Sequence, residues 1–264
     1  MAYQSFIYEV EEGIATVRLN DPGRLNALTF ETYAELEKLT GELAHDDTVK
    51  VLVLTGTGKG FCSGGSVHEI IGKLVRMQSD ELYRFTRMTC NVVQNMRNSK
   101  KPIIAAVNGI AAGAGAILAL ASDFRIVSES AKFAFLFVKV GLSGADMGAL
   151  YLLPRIVGLG KAAELVFLGD AIDAQEAHRI GLANRVVPGE KLMEESYALA
   201  RRLREGPLYA LGVTKELLNL ESDTNLETAL EMEATTQAKC MEMADFREGY
   251  QAFLEKRPPA FNGG

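Results

Sequence analysis

The stretch Lys101–Asp123, built of small and aliphatic residues, constrains the fold more than any other part of the chain. Within it, Pro102–Val107 is a short apolar run that predicts a buried strand, and Asn108-Gly109 is a turn signal. Ala111–Ala121 then predicts a buried helix whose first turn consists of glycine and alanine. Bare backbone and unpaired N–H groups at such a helix start can hold a developing oxyanion. Close packing against a neighbouring helix is the alternative interpretation.

A second glycine-rich segment, residues 56–66, surrounds the apolar pair Phe61-Cys62 and includes Gly64 and Gly65. Glycine-rich loops commonly bring their backbone close to a ligand, because no side chain stands in the way. The apolar pair should be buried, so we expect this segment to approach a ligand rather than to form a flexible surface loop.

Composition excludes several classes of function. The chain has 264 residues, of which 48% are hydrophobic and 23% are charged, and its net charge is −6. An acidic chain is a poor partner for nucleic acid, which binds basic surfaces. No run of 18 apolar residues predicts a membrane span, and no signal peptide is visible, so a cytoplasmic protein is expected. The widely spaced Cys62, Cys90 and Cys240 predict neither a metal site nor disulfides.

Strand and helix patterns alternate in the first half of the chain, and helical patterns dominate from Gly144 onward. This order is typical of an α/β core with a helical C-terminal region. We therefore expect residues 1–200 to form the α/β core and residues 201–264 to form the helical region.

Seven segments, taken together and in their order, resemble the crotonase (enoyl-CoA hydratase/isomerase) family. The resemblance implies a core of ββα superhelical turns and a helical C-terminal region that drives trimerisation, giving a homotrimer or a homohexamer. It also implies an acyl-CoA thioester substrate, with coenzyme A as part of that substrate and no separate cofactor. The segments are Arg24–Leu28, Gly60–Gly65, Lys101–Gly109, Gly113–Ala116, Ser122–Ile126, Leu152–Gly158 and Ala174–Val187.

The resemblance gives the two glycine-rich stretches one shared task. In this family, two backbone N–H groups bind the thioester carbonyl oxygen, and their motif positions correspond here to Gly65 and Ala114. Ala114 lies at the helix start that the residues themselves indicate. Other matching positions contact the CoA moiety: Arg24 near its phosphates, and Ala27, Leu28 and Ser63 along its adenine and pantetheine arm.

The sequence also departs from the family. Well-known enoyl-CoA hydratases use two glutamates, but Ile117 and Phe137 stand at those positions here, and neither can move a proton. Asp146 remains, at a position that resembles an aspartate used by several isomerases and a dehalogenase of the family. Burial in an apolar cleft should raise its pKa and suit it to acid/base catalysis. The alternative is that Asp146 only caps a helix over Met147–Ile156.

Three functions remain open. The first is hydration of, or a double-bond shift in, an unsaturated acyl-CoA, with Asp146 as acid/base. The second is an acyl-CoA thioester hydrolase or a ring-cleaving C–C hydrolase of the same fold, and the third is a non-catalytic CoA-binding relative. Phe135, Phe137, Met147 and Tyr151 suggest an apolar pocket for the acyl group, with Phe137 as a substrate-binding residue.

Overall fold

Two sheets organise the chain. The computed structural model describes residues 3–263. Within residues 3–263 the strands are β1 (Phe6–Glu11), β2 (Ile14–Leu19), β3 (Val51–Gly56), β4 (Gly60–Cys62), β5 (Ile103–Val107), β6 (Ile110–Ala112), β7 (Phe124–Ser128), β8 (Lys132–Ala134), β9 (Ile172–Asp173) and β10 (Arg185–Val187). The six-stranded sheet has the order β1-β2-β3-β5-β7-β10 and the four-stranded sheet the order β4-β6-β8-β9.

Helices pack against both sheets and continue to the C-terminal end. Across the described residues, no helix is both long and apolar enough to span a membrane. The α-helices found there are α1 (Phe30–Leu43), α2 (Gly72–Leu74), α3 (Ser79–Asn98), α4 (Ala114–Ala121), α5 (Ala149–Val157), α6 (Leu159–Leu168), α7 (Ala174–Arg179), α8 (Leu192–Arg204), α9 (Leu208–Leu220), α10 (Leu226–Glu242) and α11 (Ala244–Glu255).

Three consecutive strand pairs, β3/β4, β5/β6 and β7/β8, each contribute one strand to each sheet. The pairings between successive turns are parallel: β3 pairs with β5, β5 with β7, β4 with β6, and β6 with β8. The chain therefore winds as a superhelix of ββα turns. This is the architecture that the sequence resemblance implied, and the predicted fold class is confirmed.

The central strands of the six-stranded sheet are buried on both faces, which explains their aliphatic sequences. In β3, Leu52 and Leu54 belong to the main hydrophobic core, whereas Val51 and Val53 pack with Leu192 and Ala200 of α8. Side chains alternate between the faces of a strand, so a strand with both faces covered reads as a continuous apolar run. The expected division at residue 200 falls inside α8, and the proposed domain boundary stays a prediction.

One predicted element differs from the structure. The helix expected over Ala111–Ala121 begins at Ala114, and Ile110–Ala112 form strand β6 instead. Alanine is compatible with either conformation, and parallel pairing with β4 decides the outcome. The turn before β6 requires its glycine, because a Cβ atom on Gly109 would lie 1.9 Å from the carbonyl oxygen of Lys59.

Helix α4 packs closely against strand β4 at Gly115, where no side chain separates the two backbones. A Cβ atom on Gly115 would lie 2.1 Å from the carbonyl oxygen of Cys62 and 2.7 Å from the Cys62 Cβ. Both residues are buried, so neither the helix nor the strand can move aside without disturbing the core. The position of α4 against β4 therefore depends on glycine at residue 115.

We predict that Gly115→Ala lowers the free energy of unfolding by about 3 kcal/mol, because the added methyl group overlaps a backbone oxygen. Gly160→Ala is the matched control, since Gly160 also lies in a helix and a Cβ atom there meets nothing within 4 Å. This control should gain up to about 0.5 kcal/mol of stability from better helix propensity. Urea unfolding curves measure both effects. Equal stability of the two variants would contradict the packing argument.

Candidate active site

The two glycine-rich segments meet where β4 and β6 end. These strands are parallel, so their carboxyl ends lie at the same edge of the sheet. A Cβ atom on Gly64, whose φ is +96°, would lie 3.0 Å from the Ala112 oxygen and 3.6 Å from the Ala114 nitrogen. Within residues 3–263, neither the Gly65 N–H nor the Ala114 N–H donates a backbone hydrogen bond. Two free amide donors therefore lie at one edge of the sheet.

The expected CoA-binding loop is attached to the same edge. The Leu28 N–H donates to the Gly64 oxygen, and the Ser66 N–H donates to the Leu28 oxygen, each at 2.8 Å. The Ser63 hydroxyl donates to the Arg24 carbonyl oxygen at 3.1 Å. Next to this junction is a groove of about 320 Å³ whose lining includes Arg24, Ala27 and Leu28. The structure thus brings the predicted CoA-binding residues of this loop together.

Arg24 stands exposed at this groove between two carboxylates. Its Nε lies 2.6 Å from Asp21 Oδ2, and its Nη1 forms an ion pair with Glu69. Glu69 belongs to the π-helical turn Val67–Ile71, which directly follows the glycine-rich loop. The sequence reasoning missed Glu69, because nothing along the chain connects it to a residue 45 positions earlier.

Asp146 does not cap a helix, so that alternative is wrong. Helix α5 begins at Ala149, its N-cap is Gly148, and no side chain forms a capping hydrogen bond. The two residues after Asp146 both have left-handed backbone, with φ of +45° at Met147 and +84° at Gly148. A non-glycine residue held in this region is uncommon and is often found at functional sites. Asp146 therefore precedes a constrained turn that ends where α5 starts.

The Asp146 carboxyl group is half-buried. Burial raises its pKa above the usual value for aspartate, and the nearby Met147 N–H offsets part of this effect. The next residue, Met147, is buried in the main hydrophobic core, to which Ile117 and Phe137 also belong. This agrees with the expectation that desolvation makes Asp146 more basic.

Tyr151 does not line an apolar pocket with Phe137 and Met147, although the sequence suggested it. Its hydroxyl donates to the Asp223 carboxylate, and its ring lies 3.5 Å from the Arg155 guanidinium carbon. Tyr151 and Arg155 line a different cavity, of about 560 Å³, between α3, α5 and α9. The expectation for Tyr151 was wrong because it faces outward from α5, where the exposed carboxylate and guanidinium are its partners.

Tyr33 of α1 is a buried tyrosine that the sequence reasoning did not single out. Burial raises its pKa well above the ordinary value, and Cys62 and Asp146 add to the effect. Cys62 is itself fully buried, which raises the pKa of its thiol to about 12. Both groups therefore stay protonated at neutral pH.

The ββα winding and the meeting of the two glycine-rich segments define the class of crotonase-fold proteins. Residues 9–264 match the family model described as enoyl-CoA hydratase/isomerase, and the chain belongs to that family of enzymes. A solved structure from Streptomyces coelicolor A3(2), provisionally named enoyl-CoA hydratase, is 50% identical with a TM-score of 0.98. The match covers 100% of this chain and 96% of that one.

Two curated relatives carry different activities in their names. The 1,2-epoxyphenylacetyl-CoA isomerase of Escherichia coli K12 is 39% identical over 96% of this chain and 97% of its own length. The crotonyl-CoA hydratase of Syntrophomonas wolfei is 36% identical over 99% of both chains. The family thus includes an isomerase and a hydratase at similar distances from this chain.

The raised pKa of Asp146 leads to a prediction about how the stability of the folded protein depends on pH. When the folded pKa of a carboxyl group is above the unfolded value, the folded state binds more protons, and stability falls as pH rises between the two values. Asp146→Asn should therefore raise the free energy of unfolding at pH 7. The gain should disappear below about pH 4, the ordinary pKa of aspartate. Chemical denaturation at pH 7 and at pH 3.5 measures it.

Asp47→Asn serves as the control. Asp47 is exposed, so we expect its replacement by Asn to leave the free energy of unfolding almost unchanged. A loss of stability in Asp146→Asn at pH 7, with Asp47→Asn unchanged, would instead mean that the carboxylate stabilises the fold.

Proposed function

We propose that this enzyme moves a proton within an unsaturated acyl-CoA thioester, with Asp146 as the single acid/base. The N–H groups of Gly65 and Ala114 hold the thioester carbonyl oxygen. The observation that supports this assignment most directly is the half-buried Asp146 carboxyl group, which caps no helix and has a raised pKa.

The two amide donors suit an enolate. Removing a proton beside a thioester carbonyl places negative charge on its oxygen, and preorganised N–H groups stabilise that charge. Ala114 is the first residue of α4, so its N–H points out of the helix with the positive end of the helix dipole. Loss of one such donor typically costs about a hundred- to a thousandfold in rate.

A site with a single carboxylate favours isomerisation over hydration. A double-bond shift needs a base that removes a proton from one carbon and returns it to another, and a single group can do both. Hydratases of the family use two glutamates. In this chain the apolar residues Ile117 and Phe137 stand at those two positions, and both are buried. The name of the 39% identical isomerase agrees with this preference. Hydration with Asp146 alone is the second candidate, supported by the name of the 36% identical crotonyl-CoA hydratase.

Products in D₂O separate these reactions. Chromatography and mass spectrometry of 2-enoyl- and 3-enoyl-CoA thioesters incubated with the enzyme should find the shifted isomer, which carries deuterium only where the proton held by Asp146 exchanges with solvent before its return. A product heavier by one water would favour hydration. Free CoA as the product would favour the hydrolase.

Asp146→Asn tests the role of the carboxylate. We expect turnover to fall by about a hundredfold or more, because Asn cannot exchange a proton. Acetoacetyl-CoA, which mimics an enolate, should still bind with unchanged affinity by calorimetry, since the two amide donors are intact. Asp47→Asn, an exposed aspartate, should leave both properties unchanged. Full turnover by Asp146→Asn would show that another group moves the proton.

We also propose that the chain assembles as a homotrimer or homohexamer. Large apolar side chains are exposed on α6 and α11, including Leu159 and Phe167 of α6 and Phe253 of α11, the last 80% exposed. Large exposed apolar side chains are typical of protein interfaces when they cluster on one surface.

Light scattering coupled to size-exclusion chromatography should give three or six times the chain mass of 28.7 kDa. Phe253→Asp should shift the population towards smaller species, because a charge in an apolar interface is costly. Tyr83→Phe, at an exposed position on α3, is a control that should leave the mass unchanged. A single-chain mass for the unmodified protein at micromolar concentration would refute the assembly.

A further inference from the structure

The cavity of about 560 Å³ between α3, α5 and α9 lies outside the proposed active site. The last turn of α4 lines it through Leu120, and strand β7 lines it through Phe124 and Arg125. Helix α4 has eight residues and is therefore about 12 Å long, at 1.5 Å per residue. Ala114 begins this helix, so the cavity lies at the opposite end of α4 from the proposed oxyanion donor.

The wall of this cavity is mostly apolar. A cavity of this size falls within the range of small-molecule sites, which combine an apolar wall with a few polar groups. The aliphatic side chains come from four helices: Leu120 of α4, Leu152 and Ile156 of α5, Leu203 of α8, and Leu211 and Leu218 of α9.

Cationic side chains supply the polar groups, and Asp123 is the one carboxylate that lines the cavity within residues 3–263. Asp123 is shared between Arg97, at 3.1 Å, and Lys215, at 2.8 Å. Arg155 pairs with the exposed Asp223 at 2.6 Å. Two carboxylates therefore serve four cations, and the wall has an excess of positive charge. The cations are Arg97, Arg125, Arg155 and Lys215.

Arg125 is the cation without a carboxylate partner in the described part of the chain, although its residue is only 6% exposed. Its Nε donates to the Leu182 carbonyl oxygen at 2.6 Å. Its Nη1 donates to the carbonyl oxygens of Ser122 and Ala119, at 2.5 and 3.4 Å. Among residues 3–263, no group accepts a hydrogen bond from its Nη2.

The charge of Arg125 is therefore buried and not neutralised. Burial lowers its pKa to about 10, so the side chain still carries its charge at neutral pH. Buried charges in proteins are normally paired, because leaving a charge unpaired away from water is costly. An anion in the cavity would supply the missing partner.

We propose that this cavity binds a small carboxylic acid in its anionic form, with the carboxylate at Nη2 of Arg125 and an apolar body along the aliphatic wall. Hydrogen bonds between a guanidinium and a carboxylate are charge-assisted and stronger than neutral ones. A phosphate group suits the cavity less well, because only Nη2 is free and the further phosphate oxygens would face apolar side chains.

Calorimetric titration of the full-length protein with octanoate at pH 7 tests the proposal, with octanamide as the matched neutral ligand. We expect one octanoate per chain, bound about ten- to a hundredfold more tightly than octanamide, the range for a hydrogen bond to a charged group. Saturation with acetoacetyl-CoA should leave the octanoate affinity unchanged, because the two sites lie at opposite ends of α4.

Four results would overturn the proposal. These are the absence of octanoate binding at millimolar ligand, equal affinities for octanoate and octanamide, binding of inorganic phosphate as tight as that of octanoate, and displacement of octanoate by acetoacetyl-CoA. The last result would place the acid in the acyl-CoA site instead.

Two variants test the position of the anion. Arg125→Gln removes the charge and should reduce the preference for octanoate over octanamide to about one. Leu218→Glu keeps Arg125 and adds a carboxylate at the cavity wall, on a residue that is 70% exposed. It should weaken octanoate binding about tenfold through like-charge repulsion, with a smaller effect on octanamide.

Leu226→Glu is the matched control, since Leu226 is 74% exposed on α10 and lies outside the lining of the cavity. It should bind octanoate as the unmodified protein does. Equal octanoate affinities in Leu218→Glu and Leu226→Glu would contradict the assignment, whether or not Arg125→Gln folds. An unchanged preference for octanoate in a folded Arg125→Gln would also contradict it.

Discussion

The contact between the backbones of α4 and β4 is the constraint on which the site depends. Gly115 lies against the carbonyl of Cys62 with no room for a methyl group. This contact fixes the first residue of α4 relative to the loop that follows β4. Because helix and strand are both buried, the spacing between the Gly65 and Ala114 amides is set by close packing rather than by flexible side chains.

The polar groups around this contact are desolvated to different degrees. Cys62 is sealed in the core, and the high pKa of its thiol makes it inert as a nucleophile at neutral pH. Tyr33 is buried, with 3% of its surface exposed, whereas Asp146 is half-buried. Electrostatic interactions are stronger where water is excluded, so a carboxylate in this setting is costly to keep charged. The same cost makes it a better base than a surface aspartate.

The parts of the fold that were predictable from sequence are those where local pattern and tertiary packing agree. The aliphatic run of β5 is an example, because a strand buried on both faces leaves a clear signal. Ala111 and Ala112 were wrongly predicted as helical because alanine carries little preference, and the pairing of β6 with β4 decides their conformation. Gly65 and Ala114 were named from motif and helix-start arguments together, and their free N–H groups agree with that choice.

Other site residues could not be predicted, since their roles arise from contacts across the fold. Glu69 pairs with Arg24 although 45 positions separate them. The role of Asp146 stays a prediction, and the helix start next to it was placed too early. The left-handed residues Met147 and Gly148 delay that start, and left-handed backbone at methionine has no sequence signature.

The independence of α5 from Asp146 has a consequence for how such a scaffold can diversify. Helix α5 starts on the backbone conformation of Gly148, without a capping side chain. The residue at position 146 can therefore be exchanged while the helix behind it stays in place. On a scaffold of this kind, the side chain at this position can change without a change in the fold around it. Its architecture and its chemistry can evolve separately.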